Sequence, residues 1–146
     1  MHIEAYSEKY YMDVERLVTN FYEESIKKYD MGLDKDMLHR TIIDVANNKN
    51  AFLLIVHDKC EGILAGIEVK GLLNNKRVFQ EVIWYVNKSF RKYGIILFNE
   101  VQTILKKSGF DNIVMAVFEN AQADKIRKLY SRLGFKPFEQ HWIRGI

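Results

Sequence analysis

The apolar positions of the chain change their period several times, and each change marks an element. Ile3 and Ala5 make a short apolar start that predicts an edge strand. Val14, Leu17, Val18, Phe21 and Tyr22 then recur at i, i+3, i+4, i+7 and i+8, the stripe of an amphipathic helix. Asp34 stands at the N-cap of a second helix, with Met37, Leu38, Thr41, Ile42 and Val45 on one face. Asn47-Asn48-Lys49-Asn50 breaks that pattern. Residues 51–56 and 63–69 read as buried strands joined by a turn at Asp58-Lys59. Gly71 and Asn74-Asn75 supply a second turn before residues 79–86, which are rich in β-branched and aromatic types.

Beyond that strand the helical period returns in Leu97, Phe98, Val101, Ile104 and Leu105, and Ser108-Gly109 makes a stop. Residues 113–118 predict a strand. Ile126, Leu129, Tyr130 and Leu133 line another helix, closed by Gly134, and residues 135–144 predict one or two last strands. The order is β-α-α-β-β-β-α-β-α-β, with antiparallel hairpins early and a β-α-β crossover late. The fold class is therefore α/β, a mixed and mostly antiparallel sheet with flanking helices.

A length of 146 residues favours a single domain spanning 1–146. With 48% hydrophobic and 28% charged residues the chain is not of the disordered class. Lys plus Arg is 22 against 19 Asp plus Glu, and a net charge of +3 is too mild to imply nucleic acid or membrane as a partner. The single cysteine, Cys60, excludes an internal disulfide and any multi-cysteine zinc site, and points to a reducing, cytoplasmic compartment. The longest unbroken apolar run, 51–56, falls far short of the ~20 residues that span a bilayer. Met1-His2-Ile3-Glu4 has neither the basic nor the apolar region of a signal peptide. His2, His39, His57 and His141 show no metal-ligand spacing, so no metal is expected.

Chemistry concentrates between Val82 and Gly94, where a strand runs through Lys88, Arg91 and Lys92 into a helix whose first turn holds Gly94. The first N–H groups of a helix lack internal partners and carry the positive end of its dipole. Delivered beside three cations, they suit a phosphate or diphosphate; the bland reading is a solvated basic loop.

Arg91-Lys92-Tyr93-Gly94-Ile95-Ile96, after a strand, resembles the Q/R-x-x-G-x-G/A motif of the GCN5-related N-acetyltransferases. The resemblance continues in order through the strand at 113–118 to Tyr130-Ser131-Arg132-Leu133-Gly134-Phe135, which is similar to the family's later motif of a helical tyrosine before Gly-Phe. Trp84-Tyr85-Val86 is similar to a segment of phage-encoded members. Together these stretches cover roughly residues 79 to 144, with Lys88 where many members have proline and Ile96 where a second small residue is usual.

The resemblance implies direct acetyl transfer from acetyl-CoA to a primary amine of a small molecule or protein, in a ternary complex. Main-chain groups of Trp84 and Val86 would meet the pantetheine arm and acetyl oxygen. The amides of Arg91, Lys92, Tyr93, Gly94, Ile95 and Ile96 would surround the diphosphate, with Asn120 a further family position. The resemblance makes Tyr130 the candidate general acid and leaves core packing as its alternative. Glu81 is the candidate general base, sharing a face with Ile83 and Tyr85, or else an exposed strand residue. Ile96 either obstructs the coenzyme's approach or packs into the core beside Leu97; the second is expected.

Lys125, Arg127, Lys128 and Arg132 make the last helix basic, a solvated face from which some cations would meet the 3′-phosphate of coenzyme A. Acceptor-pocket walls are expected from residues 10–48, the turn at 71–77 and the last strands. Phe138, Trp142 and Ile143 give those strands a way to pair in a homodimer. The competing class is a catalytically inactive binding module of the same fold that has lost acetyl-CoA.

Overall fold

The computed structural model describes residues 1–48, 51–71 and 73–146. Five strands form one sheet in the order β1 (His2–Ala5), β2 (Phe52–Val56), β3 (Cys60–Lys70), β4 (Arg77–Val86) and β5 (Asn112–Val114). The first three pairings are antiparallel and β4 with β5 is parallel, the crossover being α3 (Gly94–Lys107). Two helices, α1 (Tyr11–Ser25) and α2 (Lys35–Asn47), connect β1 to β2, and α4 (Ala123–Arg132) follows β5. The first nine elements of the expected order are present.

β2 lies mid-sheet with helices on both sides, and for that reason all five of its residues are buried. Phe52, Leu54 and Val56 pack toward Val14 and Leu17 of α1 and Leu38, Ile42 and Val45 of α2. Leu53 and Ile55 pack on the opposite face against Leu97, Phe98, Val101 and Leu105 of α3. The Asp34 side chain accepts a hydrogen bond from Met37 N–H at 3.0 Å, the N-cap its position suggests. Gly109 and Gly134 end their helices with φ of +81° and +86°, conformations that a Cβ disfavours.

Several expectations are corrected. Met37 and Thr41 are exposed, and the buried stripe of α2 is Leu38, Ile42 and Val45 alone. β5 covers Asn112–Val114, shorter than the expected 113–118. Residues 135–144 form no strand. They follow α4 as irregular chain in which Phe135 packs on the core and the residues beyond it are exposed, Phe138 80% and Trp142 89%. Strand-like composition does not make a strand where no neighbouring edge is paired with it. The break expected at 47–50 begins with the end of α2 at Asn47, while Lys49 and Asn50, like Leu72 in the 71–77 turn, lie outside the described residues.

A bulge in β4 sets up the site. Ile83 stands opposite Ala65 but Glu81 stands opposite Gly66, so Val82 is an extra residue without a partner. The extra residue reverses the alternation of β4. Ile83 and Tyr85 face α1 and α2, whereas Phe79 faces α3.

Candidate active site

β4 and β5 pair only from Val78 to Gln80, and then part. Past that point, among the described residues, one edge of β4 has no strand beside it. Asn87 N–H donates to Glu61 O on β3 at 2.8 Å. By antiparallel alternation Tyr85 and Ile83 also turn their main-chain groups to β3, and Trp84 and Val86 turn theirs to the open edge.

Glu81 sits where the two strands diverge. Because of the bulge it does not share a face with Ile83 and Tyr85, and it is not an exposed strand residue: only 8% of its surface is accessible. Its Oε2 accepts a hydrogen bond from Ala116 N–H at 2.8 Å, just beyond β5. Burial pushes its carboxyl up to about 7, and the Ala116 and Trp84 N–H groups oppose that rise by favouring the charged form. The carboxylate thus bridges a gap that sheet hydrogen bonds no longer span.

Tyr130, on α4, reaches the same residue from the carbonyl side. Its hydroxyl donates to Ala116 O at 2.8 Å, and its ring stacks on Trp84 at 6.2 Å and against Phe135 at 5.3 Å. Burial, and then the nearby Glu81 charge, push its phenol well above the ordinary value. A phenol in that state holds its proton and acts as a hydrogen-bond donor. Both sequence-derived candidates for proton transfer therefore meet at Ala116, a residue with no sequence signal of its own.

The loop after β4 winds as a 3-10 helix, Lys88–Tyr93, and runs directly into α3 at Gly94. This coil uses some of the amides expected to be free: Phe90 N–H donates to Asn87 O at 2.8 Å, and Gly94 N–H donates to Arg91 O. Gly94 has an ordinary helical φ of −56°, and a Cβ there would lie 3.6 Å from Trp84 Cζ2, so the fold itself does not demand glycine. Ile96 does not pack into the core beside Leu97; it is 45% exposed on the first turn of α3. Leu97 and Phe98 already fill the inward positions of that turn.

Arg91 turns its guanidinium away from the loop amides. Its Nε donates to Val86 O at 3.3 Å and its Nη2 to Glu24 Oε2 at 3.1 Å. Lys92 folds back over the Tyr93 ring, with its Nζ 5.0 Å from the centroid. Asn120 is occupied at both ends of its amide: Nδ2 donates to Ser25 Oγ at 2.8 Å, and Oδ1 accepts from Gln122 N–H at 2.8 Å. It ties the entry of α4 to the end of α1. Arg127 of the basic helix α4 is paired with Glu119 and Asp124.

An open cavity of about 500 Å³ lies beside the loop, walled by Glu24 and Asn20 of α1, Tyr85, Asn87 and Ser89. Its walls include α1, within the expected 10–48 segment, but not the 71–77 turn or the terminal residues. Cys60 is buried, with its thiol pushed up to about 12 chiefly by burial and then by Asp13, which leaves it inert. Among the described residues no helix is long and apolar enough to cross a membrane.

No family model matches the chain, and no curated protein matches it. Solved structures do. An acetyltransferase of Trypanosoma brucei matches with a TM-score of 0.74 at 14% identity, over 99% of each chain. A GNAT family acetyltransferase of Staphylococcus aureus gives 0.66 at 12% identity, over 99% of this chain and 98% of its own. The aminoglycoside 6′-N-acetyltransferase of Acinetobacter haemolyticus gives 0.72 at 16% identity, over 100% and 99%. The match runs through nearly all of each molecule.

Proposed function

We propose that this chain, which has the GNAT acetyltransferase fold, is an N-acetyltransferase that moves an acetyl group from acetyl-CoA to a primary amine within a ternary complex. The observation that carries the reading is the convergence of the Glu81 carboxylate and the Tyr130 hydroxyl on Ala116, where β4 and β5 part. The chain acts as a single domain over 1–146. Its free, buried thiol at Cys60 supports a reducing, cytoplasmic setting. Exposed Phe138 and Trp142 support a homodimer.

Acetyl-CoA supplies a thioester whose carbonyl carbon an amine can attack. The open edge of β4 fits the extended pantetheine arm, which would take the place of a strand on Trp84 O and Val86 N–H, since Trp84 N–H faces Glu81 and Val86 O faces Arg91. The start of α3, with Ile95 and Ile96, would offer N–H groups to the diphosphate, and Arg91, Lys92, Tyr93, Gly94 and Asn120 shape or flank that seat. A carboxyl held near 7 is half-ionised at neutral pH, suited to taking the amine's proton as the C–N bond forms. Neutralising Glu81 also removes a charge that holds the Tyr130 proton in place. The phenol then donates more readily to the sulfur as the C–S bond breaks, and water returns the proton from Glu81 to Tyr130.

The 3-10 coil favours a second reading, a binding module of this fold without coenzyme, because it draws the Phe90 and Gly94 amides into internal hydrogen bonds. Calorimetric titration with acetyl-CoA separates the two. Micromolar binding is the expected result; no heat of binding at millimolar coenzyme would establish the module instead. Tyr130→Phe should lower turnover about a hundredfold while acetyl-CoA affinity stays within about twofold, since only the donor is removed. Unchanged turnover would leave Tyr130 a packing residue. Gly94→Ala should leave the thermal midpoint unchanged, because the added Cβ meets Trp84 at ordinary contact distance, yet weaken acetyl-CoA binding about tenfold by obstructing the backbone. Equal binding would move the diphosphate elsewhere.

A further inference from the structure

Arg91 matches the arginine of the coenzyme motif, yet in the folded protein it is engaged with the chain itself. Glu24 is the penultimate residue of α1 and lies 67 residues away in sequence. One of its carboxylate oxygens accepts from the buried Tyr85 hydroxyl at 2.9 Å, and the other accepts from Arg91 Nη2 at 3.1 Å. Arg91 Nε closes the chain of contacts on Val86 O at 3.3 Å, at the last residue of β4. Three separate elements, α1, β4 and the 3-10 loop, are thereby fastened to one another.

We propose that Glu24 is a positioning residue of the coenzyme seat: through Arg91 it fixes the shape of the loop Lys88–Tyr93 that delivers the first amides of α3. This inference rests on the acetyl-CoA reading given above. It assigns Arg91 a geometric role in place of a charge contact with phosphate. A planar guanidinium holds a carbonyl and a carboxylate along fixed donor directions, a geometry that the rotatable ammonium of a lysine does not impose. Tyr85 is what aims the carboxylate: burial first, and then Glu24 itself, push the phenol up to about 12, so it stays protonated and keeps donating. The Glu24 and Arg91 side chains are 37% and 33% exposed, so the pair adds little stability and its consequence is felt mainly in loop geometry.

The test is a double-mutant cycle read by acetyl-CoA titration at low and high salt, with Glu24→Gln, Arg91→Gln and both together. Each single variant should bind about tenfold more weakly, and the double variant no worse than either, because both remove one contact. The salt dependence of binding should be the same in Arg91→Gln as in wild type, since no phosphate contact is lost. Tyr85→Phe, which removes only the hydroxyl, should weaken binding in the same direction and keeps the test alive if Glu24→Gln unfolds. Glu24→Gln that binds as wild type, with Arg91→Gln weak and less salt-dependent, would show Arg91 acting by charge and overturn the inference alone. Wild-type protein that takes up no acetyl-CoA would overturn the coenzyme reading and this inference with it.

Discussion

Glu81→Gln should lower turnover by about a hundredfold or more while leaving the fold intact, the cost of losing a general base. Glutamine keeps the shape of the side chain and an oxygen to accept the Ala116 N–H, now 2.8 Å from Oε2. What it cannot do is take a proton. The pH–rate profile of the wild type should therefore rise through about 7, where burial places the Glu81 carboxyl, and that limb should vanish in the variant. Stability offers an independent readout with a definite sign. Between the ordinary carboxyl value of 4.5 and about 7, folded protein keeps a proton that the unfolded chain has lost. Stability from this group is thus present at low pH and falls as pH rises through the window. Over such a span the loss is on the order of 3 kcal/mol. Glu81→Gln has no such titration, so the stability difference between the variant and wild type should move by that amount in the variant's favour between pH 4 and pH 8. A difference that stays flat with pH, measured by denaturant unfolding, would mean the carboxyl does not titrate there. Wild-type turnover in the variant would reduce Glu81 to a bridge between β4 and the chain beyond β5.

Gly66→Ala should destabilise the protein by about 3 kcal/mol and lower its thermal midpoint by roughly 10 °C. Gly66 is opposite Glu81 at the bulge, and a Cβ built on it would overlap the Phe79 ring and the Gln80 carbonyl oxygen. Phe79 is fully buried against α3 and cannot swing aside, and the Gln80 carbonyl belongs to the strand. The backbone has to shift, and with it the point where Val82 is extruded. Activity should fall further than the population of folded protein explains, since the bulge carries Glu81 to the Ala116 side of the sheet. Gly94→Ala is the internal control, because the fold has room for its methyl group. Equal midpoints for Gly66→Ala and wild type would show that β3 and β4 can pair without the bulge in its present place.

Much of the architecture is readable from residues alone, because each signal acts on its own stretch of backbone. Asp34 caps α2, Gly109 and Gly134 turn the chain out of helices, and the unbroken apolar run of β2 marks a strand covered on both faces. The later motif order led to the fold that the solved acetyltransferases share. Tyr130 and Glu81 stand out in the sequence as candidates by type and place, but Glu24 leaves no trace there, being one of two adjacent acidic residues near the end of an amphipathic helix. The terminal strands expected at 135–144 failed for the opposite reason. Their composition suits a sheet, and nothing in so short a segment says whether an edge will pair with it.

By itself, then, the order of residues determines the first nine elements, the Asp34 cap of α2 and the route from β4 through a basic loop into α3. Only the packed molecule decides which side of the sheet Glu81 faces, that Ala116 is where it meets Tyr130, and that Arg91 is held by Glu24. Side-chain alternation is a local rule with a period of two, and one extruded residue reverses it. At that point Gly66 leaves the space that Phe79 fills, and the two come from different strands and meet only once the sheet has formed.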